Sequence, residues 1–307
     1  MTDRPAVLVH PPLPLFEGQL TQYDIVHWPC DDEAKRADVT AAVGVGSIGM
    51  SNDIIAAFPN LKTIACFAVG IDGFDMDFLR ARGIALSNGA NINHEDVADV
   101  ALGLIISVAR RFSEGERVVR AGNWSVPLAV APQKRIRGRN LGIVGLGAIG
   151  QALAVRAEAC GMEISWTGPR PKPDAPWPFE PDLVKLARWA DILAVCVRGD
   201  DSTVNLIDSE VIKALGGDGI LINVSRGNVI DEDALIAALK SGALYGAGLD
   251  VYAEEPTPPE KWAGLANVTL TPHLGGGTRE ALVMGAMNVM ENLRRHFAGE
   301  PLLTPVI

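Results

Sequence analysis

The chain has 307 residues, and at ~150 residues per domain this length suits two domains of ordinary size. Hydrophobic residues make up 48% of the chain, which is enough for two buried cores, yet no uncharged apolar stretch approaches the ~18 residues of a membrane span. The net charge of -10 argues against a nucleic-acid partner, because a protein that binds a phosphate backbone normally carries a basic face.

Short apolar runs alternate with helix-like stretches in the first third of the chain. The runs predicted as buried strands are 6–9, 24–27, 41–46, 64–69 and 84–87. This alternation is typical of a parallel sheet covered by helices on both faces. The sequence therefore predicts that the first third forms an α/β unit of its own, without a phosphate-binding glycine motif.

A helix is predicted to follow this unit. It begins at Asn93, a residue type that caps helices well, and runs to about Arg111. The next segment, 124–139, is irregular and contains prolines and a basic cluster. We interpret it as an extended arm with a solvated face, and contact with substrate or a second subunit is the alternative.

The segment 141–150 reads L-G-I-V-G-L-G-A-I-G and predicts a strand, a tight turn and a helix. Gly145 permits the turn, Gly147 lets backbone approach a pyrophosphate, and Gly150 lets the helix pack closely on the strand. The N-terminus of the helix offers N–H groups and a positive dipole end to phosphates. The motif therefore predicts a dinucleotide-binding site.

The rest of the chain continues this second unit and ends in a long helix. The further predicted strands are 163–166, 191–197, 219–224, 243–251 and 268–271. Six prolines make 169–181 a loop. Asp231 is predicted to cap a helix over 232–240, and Thr278 is predicted to cap the long helix. The residues expected on one face of the long helix are Leu282, Ala286, Val289, Leu293 and Phe297. The tail 301–307 is predicted to return to the first unit.

The end of the second strand of this unit bears on the choice of coenzyme. NAD-binding units place an acidic residue there, whereas this chain reads Ser165-Trp-Thr-Gly-Pro-Arg-Pro-Lys172. Glu163 lies too early, but Arg170 and Lys172 can pair with a 2′-phosphate and Thr167 can donate a hydrogen bond. NADPH is therefore favoured over NADH. The alternative is that the two cations are exposed loop charges.

The cysteines bear on the compartment. Cys30, Cys66, Cys160 and Cys196 are scattered, with no C-x-x-C pair. This pattern predicts reduced thiols rather than disulfides or a metal site. No signal peptide is evident, so a cytoplasmic protein is expected.

Three polar residues follow predicted strands late in the chain. They are Arg226 after 220–224, Glu255 after 243–249 and His273 after 268–270. Loops beyond the carboxyl ends of strands are where open α/β sheets bind their ligands. Each residue alone has a structural alternative, as a surface charge, a turn residue or a loop histidine. Together, downstream of a dinucleotide motif, they predict a catalytic set.

Short motifs spread over nearly the whole chain carry a family resemblance. They are 69–74 (VGIDGF), 94–99 (HEDVAD), 145–150 (GLGAIG), 223–227 (NVSRG), 246–251 (GAGLDV), 255–256 (EP), 272–273 (PH) and 301–306 (PLLTPV). With them the chain resembles the D-2-hydroxyacid dehydrogenases, and among these the NADPH-linked glyoxylate/hydroxypyruvate and hydroxyphenylpyruvate reductases.

The resemblance implies a two-domain α/β architecture. A flavodoxin-like substrate domain would comprise 1–98 and 282–307, and a Rossmann-type coenzyme domain would comprise 99–281, with substrate held between them. The family is typically homodimeric through the coenzyme domain. The substrate implied is a small 2-oxo acid, such as glyoxylate, hydroxypyruvate or an aryl pyruvate, with no metal.

The resemblance also assigns residues. Arg226, Glu255 and His273 would be catalytic. The residues expected to contact the coenzyme are Gly145, Leu146, Gly147, Ala148, Ile149, Gly150, Thr167, Gly168, Arg170, Lys172, Cys196, Val197, Val224, Ser225, Arg226, Asp250, His273 and Gly275. Those expected to contact substrate are Ser47, Val69, Gly70, Arg226 and His273.

The chemistry of the implied reaction suits these residue types. Hydride transfer to a 2-oxo acid builds negative charge on the carbonyl oxygen, and a protonated His273 can donate a proton there. Glu255 would stabilise the imidazolium and fix its tautomer. Arg226 can clamp the carboxylate and the carbonyl oxygen.

Two departures from the family pattern leave alternatives open. Arg198-Gly199 stands where relatives often have Pro-Leu, and His94 stands where many have Thr, so His94 either touches the coenzyme or starts the helix. The alternative functions are a dehydrogenase for another small acid that uses NADH, and a nucleotide-sensing interaction module with little turnover.

Overall fold

The structure is a computed structural model that describes residues 4–46, 48–124 and 132–307. The strands are β1 (Ala6–His10), β2 (Asp24–Val26), β3 (Ala41–Gly44), β4 (Thr63–Cys66), β5 (Ala85–Ser87), β6 (Asn140–Val144), β7 (Glu163–Thr167), β8 (Ile192–Val195), β9 (Ile220–Asn223), β10 (Gly246–Leu249) and β11 (Val268–Leu270). The α-helices are α1 (Pro14–Glu17), α2 (Glu33–Asp38), α3 (Asn52–Ala56), α4 (Met76–Ala81), α5 (His94–Ala109), α6 (Phe112–Arg120), α7 (Ala148–Ala159), α8 (Leu183–Trp189), α9 (Ser209–Leu215), α10 (Glu232–Ser241), α11 (Pro259–Trp262) and α12 (Arg279–Ala298). None of these helices is long and apolar enough to span a membrane.

The chain divides into two compact units. The first comprises Met1–Asn93 with Thr278–Ile307, and the second comprises His94–Gly277. The predicted boundaries at 98/99 and 281/282 fall inside α5 and α12, whereas the structure assigns each helix whole to one unit. A helix is a continuous hydrogen-bonded segment, so the division comes at its end rather than within it.

The first unit is built on a five-stranded parallel sheet in the order β2-β1-β3-β4-β5. This is the flavodoxin-like order that the family resemblance implies. Strands β3 and β4 are buried along their whole length, as a sheet covered on both faces requires. The C-terminal tail lies along β5, where Val306 N–H donates to the Leu86 carbonyl at 2.7 Å, as predicted.

Helix α12 packs on this sheet with only part of its predicted face. Thr278 caps it by accepting a hydrogen bond from Ala281 N–H at 3.0 Å, and Val289 and Leu293 are fully buried. Leu282 was expected on the same buried face, but it is 52% exposed. In this first turn the buried residue is Ala281, and one turn later Gly285 lies so close to the loop after β4 that a Cβ there would be 3.1 Å from the Phe67 carbonyl oxygen.

The second unit holds a six-stranded parallel sheet in the order β11-β10-β9-β8-β6-β7. Phe179 forms a further parallel bridge to Trp166 of β7, so the proline-rich segment predicted as loop touches the sheet edge. With this bridge counted as a strand, the order is that of a Rossmann fold. Asp231 caps α10 through Ala234 N–H, as predicted.

The segment after α5 differs from the prediction. The chain reverses at Arg111, whose φ is +53°, and α6 follows where no element was predicted. No residue of α6 is buried: its apolar residues Phe112 and Val119 lie on one helical face, seven residues apart, but this face does not pack into the described part of the unit. Part of the predicted extended arm, residues 125–131, lies outside the described residues.

Candidate active site

The glycine-rich turn after β6 leads directly into the N-terminus of α7. Gly145 has φ +95°, and a Cβ there would lie 2.8 Å from Val197 N. A Cβ at Gly150 would lie 2.2 Å from the Gly145 carbonyl oxygen, so only glycine lets α7 come this close to the turn. Among the described residues, no atom lies within 4 Å of a Cβ built at Gly147, and no side chain caps the first N–H groups of α7. These features fit a pyrophosphate.

A cavity of about 1520 Å³ surrounds this turn in the second unit. The residues of the predicted coenzyme set that line it are Gly145, Leu146, Gly147, Ala148, Thr167, Gly168, Arg170, Lys172, Cys196 and Val197. Those that do not line it are Ile149, Gly150, Val224, Ser225, Arg226, Asp250, His273 and Gly275. Ligand pockets usually span 300–1,000 Å³, so this one has room for a large ligand such as a dinucleotide.

Both cations predicted to meet a 2′-phosphate, Arg170 and Lys172, line this cavity. Lys172 Nζ donates to the Leu146 carbonyl at 2.6 Å, which ties the proline-rich segment across the glycine turn. An ammonium has three N–H donors, so this bond leaves two for a ligand. Thr167 ends β7 and is buried, and Arg170 follows it in the exposed part of the wall.

Arg226 is held beyond the carboxyl end of β9. The Asn223 amide donates to the Arg226 carbonyl at 2.9 Å, and Arg226 Nη1 donates to the Ser225 carbonyl at 2.8 Å. Gly199 lies against its stem, since a Cβ there would be 2.4 Å from Arg226 Cγ and 2.7 Å from Arg226 Cβ. The absence of a side chain at 199 is therefore what makes room for Arg226.

The His273 imidazole is paired with the Glu255 carboxylate. Nδ1 lies 2.7 Å from Glu255 Oε2, and both side chains are about one-third exposed, at 38% and 35%. The other carboxylate oxygen, Oε1, accepts a hydrogen bond from Tyr252 N–H at 3.0 Å, so both oxygens of the Glu255 carboxylate are held by hydrogen bonds. With a proton on Nδ1 shared with Glu255, Nε2 is left as the ring atom that can exchange a proton with a ligand.

Asp250 organises the loop that carries His273. Its buried carboxylate accepts from Thr271 Oγ1 at 2.6 Å and Leu274 N–H at 2.9 Å on one oxygen, and from Gly275 N–H at 2.8 Å on the other. His273 itself has φ +52°, a left-handed conformation that is uncommon outside glycine. Strained backbone of this kind persists only where its surroundings hold it, and here Asp250 does so.

The three predicted catalytic residues therefore share one edge of the sheet. Arg226, Glu255 and His273 follow β9, β10 and β11, which are parallel neighbours. The glycine turn follows β6 at the same edge, two strands away from β9. The structure thus brings together an imidazole–carboxylate pair, a guanidinium and a dinucleotide-sized cavity, which suits proton transfer to an anionic substrate beside a nucleotide.

Two of the predicted substrate residues lie in the loop after β4 of the first unit. The N–H groups of Val69 and Gly70 make no hydrogen bond to any described residue, and both residues are partly exposed. Ser47, the third such residue, lies outside the described residues.

Several residues of the site were not identified from the sequence. Tyr252 is one: burial raises the pKa of its hydroxyl to about 12, and that hydroxyl donates to the Thr271 carbonyl at 2.8 Å. Arg156 is another, since it lines the cavity and pairs with Glu95 and Asp99 of α5 at 2.6 Å each. No sequence motif marks these residues, because their contacts join segments that are far apart in the chain.

His94 and Asp174 also line the cavity. His94 begins α5, as one of the two alternatives has it, and the contact with the coenzyme stays a prediction. The ribose-binding carboxylate of NAD-binding units stands at the end of the second strand, which here is the end of β7. Asp174 lies well beyond that position, in the proline-rich segment.

Comparison with known proteins identifies the relatives of this chain. Residues 102–275 match the profile of the family described as D-isomer specific 2-hydroxyacid dehydrogenase, NAD binding domain. Glyoxylate/hydroxypyruvate reductase A of Arabidopsis thaliana is 42% identical over 275 residues, covering 90% of this chain and 88% of the relative. Hydroxyphenylpyruvate reductase of Plectranthus scutellarioides is 42% identical over 269 residues, covering 88% and 86%.

A solved structure shares the fold. It is an NADPH-dependent glyoxylate/hydroxypyruvate reductase from Sinorhizobium meliloti in complex with NADP and malonate, with a TM-score of 0.90 and 35% identity. The match covers 99% of this chain and 97% of that one. The predicted α/β fold class, the family resemblance and a nicotinamide dinucleotide as coenzyme are confirmed by these matches.

Proposed function

Because the chain belongs to the D-isomer-specific 2-hydroxyacid dehydrogenase family, we propose that it reduces a small 2-oxo acid to the D-2-hydroxy acid with NADPH. The observation that carries this proposal is the 2.7 Å pair of His273 Nδ1 and Glu255 Oε2, at the same sheet edge as Arg226 and the glycine turn. The relatives named glyoxylate/hydroxypyruvate and hydroxyphenylpyruvate reductase support glyoxylate, hydroxypyruvate and aryl pyruvates as substrates.

The residues present fit the coenzyme. The open space at Gly147 and the uncapped N-terminus of α7 suit a pyrophosphate, and Arg170 and Lys172 suit a 2′-phosphate. When bound, NADPH supplies the hydride that reaches the carbonyl carbon. The protein contributes placement, electrostatics and the proton.

The proton is proposed to come from His273. As negative charge builds on the carbonyl oxygen, Nε2 donates a proton to it, and the Glu255 carboxylate stabilises the imidazolium before the transfer. Tyr252 N–H keeps Glu255 in place during this step. The Arg226 guanidinium binds the substrate carboxylate and the developing oxyanion by charge-assisted hydrogen bonds. As the family resemblance implies, the Val69 and Gly70 N–H groups of the first unit are proposed to bind the substrate through its carboxylate.

The preference for NADPH rests on the charge of the cavity wall. Lys172 and Arg170 line it, and the end of β7 offers the hydroxyl of Thr167 rather than a carboxylate. A carboxylate at that place would repel a 2′-phosphate. The NADPH dependence named for the Sinorhizobium meliloti relative supports the same preference.

The test is a panel of glyoxylate, hydroxypyruvate, 4-hydroxyphenylpyruvate and pyruvate, each assayed with NADPH and with NADH. We expect at least one acid to be reduced with kcat/KM in the ordinary enzyme range of ~10⁴ M⁻¹s⁻¹ or above with NADPH. We expect NADH to be the poorer coenzyme. If the protein binds NADPH but reduces no acid of the panel, the proposed function is wrong and a sensing role is favoured.

We also propose a cytoplasmic homodimer that associates through the second unit. The exposed helix α6 supports the dimer, because Phe112 and Val119 are 56% and 58% exposed there and a second copy would cover them. The free state of Cys30, Cys66, Cys160 and Cys196 supports a reducing compartment. Light scattering after gel filtration tests the dimer, and Val119→Glu should shift it toward monomer.

A further inference from the structure

The loop after β4 is held by its carbonyl groups. The Ala68 carbonyl accepts from Gly89 N–H at 2.9 Å, and the Val69 carbonyl accepts from the Asn88 side-chain amide at 2.7 Å. Cys66 Sγ lies 3.5 Å from the carbonyl oxygens of both Ala68 and Gly70. Three consecutive carbonyl groups therefore point toward the body of the first unit.

The direction of the N–H groups follows from the geometry of the peptide bond. In a planar trans peptide the C=O of one residue and the N–H of the next point in opposite directions. Holding the Ala68 carbonyl inward thus turns Val69 N–H outward, and holding the Val69 carbonyl inward does the same for Gly70 N–H. Two adjacent N–H groups that point the same way form a concave site for an anion.

Asn88 is itself held by the C-terminal segment. Thr304 Oγ1 donates to the Asn88 carbonyl at 2.6 Å, and Asn88 N–H donates to the Thr304 carbonyl at 3.2 Å. The Thr304 hydroxyl accepts in turn from the amides of Asn288 and Asn292 of α12, at 3.3 Å each. Asn292 is fully buried, so this chain of hydrogen bonds is anchored in the core of the unit.

We propose that Asn88 is a positioning residue for substrate recognition, which holds the Val69–Gly70 peptide so that the Gly70 N–H faces the carboxylate of the 2-oxo acid beside the Val69 N–H, and that Thr304 positions Asn88. The inference rests on the proposed function. Asn88 does not touch the substrate in this scheme, and it acts only through the backbone of the loop. Cys66 supports the same orientation as a neutral thiol, since burial raises its pKa to about 11.

The test compares Asn88→Ala with Asn60→Ala. Asn60 is a matched control in the same unit, because its side-chain amide also donates to a backbone carbonyl, that of Ala37 at 2.8 Å, away from the loop. For Asn88→Ala we expect KM for the 2-oxo acid to rise about five- to ten-fold, as the loss of one hydrogen bond implies. The kcat and the Kd for NADPH should stay within about two-fold.

The second pair of variants is Thr304→Val and Thr304→Ser. Val keeps the shape of the side chain and removes the hydroxyl, so KM should rise in the same direction by a smaller factor. Ser restores the donor to Asn88 and should return KM to the wild-type value. Thermal unfolding of each variant separates this effect from a general loss of stability.

A binding readout keeps the inference separate from turnover. Oxamate, a carboxylate that accepts no hydride, is titrated into the complex of the protein with NADPH, and binding is measured by calorimetry. In Asn88→Ala the Kd for oxamate should rise by the same factor as KM. Unchanged oxamate affinity in Asn88→Ala, or no oxamate binding to the wild-type chain, overturns the inference. If Asn88→Ala lowers both the NADPH affinity and the Tm, the effect is a general loss of structure, and this result also contradicts the inference. Oxamate binding without reduction of any acid refutes the proposed function alone.

Discussion

Replacing Gly199 by Ala tests whether the position of the Arg226 side chain, which packs against Gly199, controls catalysis. The added Cβ would lie 2.4 Å from Arg226 Cγ and 2.7 Å from Arg226 Cβ, whereas carbon atoms in contact are ordinarily about 3.5–4.0 Å apart. The arginine stem must therefore move by about 1 Å or more. Alanine is compatible with the backbone here, because Gly199 is not among the glycines with positive φ.

A displacement of this size should weaken the hydrogen bonds from the Arg226 guanidinium to the substrate without removing them. A misplacement of about 1 Å can cost on the order of 10²-fold in rate, so we expect kcat/KM to fall by about 10- to 100-fold. The Kd for NADPH should change little, because Arg226 does not line the cavity around the glycine turn. Steady-state kinetics with the best acid of the panel and a fluorescence titration of NADPH measure the two quantities.

Gly103→Ala is the matched control. Gly103 lies in α5 of the same unit, and a Cβ there would have no atom of the described residues within 4 Å. This change should leave kcat/KM unaltered and stabilise the helix by about 0.5–1 kcal/mol. If Gly199→Ala keeps kcat/KM within two-fold of wild type, the stem of Arg226 tolerates the shift and the reasoning from its close fit is wrong.

Four further changes test other parts of the site and fold. Glu255→Gln keeps the size of the side chain but removes the charge that faces His273 Nδ1, so kcat should fall by about 10²-fold or more in stopped-flow hydride transfer while NADPH binding persists. Asp250→Asn weakens three hydrogen bonds to the loop of His273 and should lower the free energy of unfolding by about 2–4 kcal/mol in urea titrations. Arg170→Ala should raise the KM for NADPH by about ten-fold and leave that for NADH unchanged, which competitive assays with the two coenzymes measure. The Arg294 and Arg295 guanidinium groups hold the pKa of the Glu291 carboxyl at about 2, so its stabilising effect is complete above pH ~4.5 and is lost as the pH falls toward 2. The Tm difference between wild type and Glu291→Gln should accordingly be largest at pH 7 and shrink below pH ~4.5 in calorimetric scans.

Features that depend on neighbours along the chain were predictable from the sequence. The buried strands, the turn at Gly145 and the caps Asp231 and Thr278 each follow from periodicity or from a single residue type. The order of Arg226, Glu255 and His273 after successive strands was also readable, and parallel pairing brings the ends of such strands to one edge. Sequence reasoning therefore reached the fold class and a list of candidate residues.

Features that depend on contacts across the chain were not predictable. α6 is only nine residues long and none of them is buried, and Leu282 fits the helical pattern of α12 but is 52% exposed, so in both helices burial does not follow the sequence pattern. The close contact between the Arg226 side chain and Gly199 depends on how the two loops that carry them are placed in space. No residue spacing in the sequence predicts this placement.

The sequence by itself determined the two α/β units, the glycine turn and the kinds of side chain available for chemistry. The tertiary structure alone decided how these groups are oriented. His273 is hydrogen-bonded to Glu255, the loop that carries His273 is hydrogen-bonded to Asp250, and the Val69 carbonyl is hydrogen-bonded to Asn88. The physical reason is that secondary structure follows from local sterics and hydrogen bonds, whereas the direction of a side chain or a peptide N–H depends on partners brought within 3 Å by strand register and helix packing.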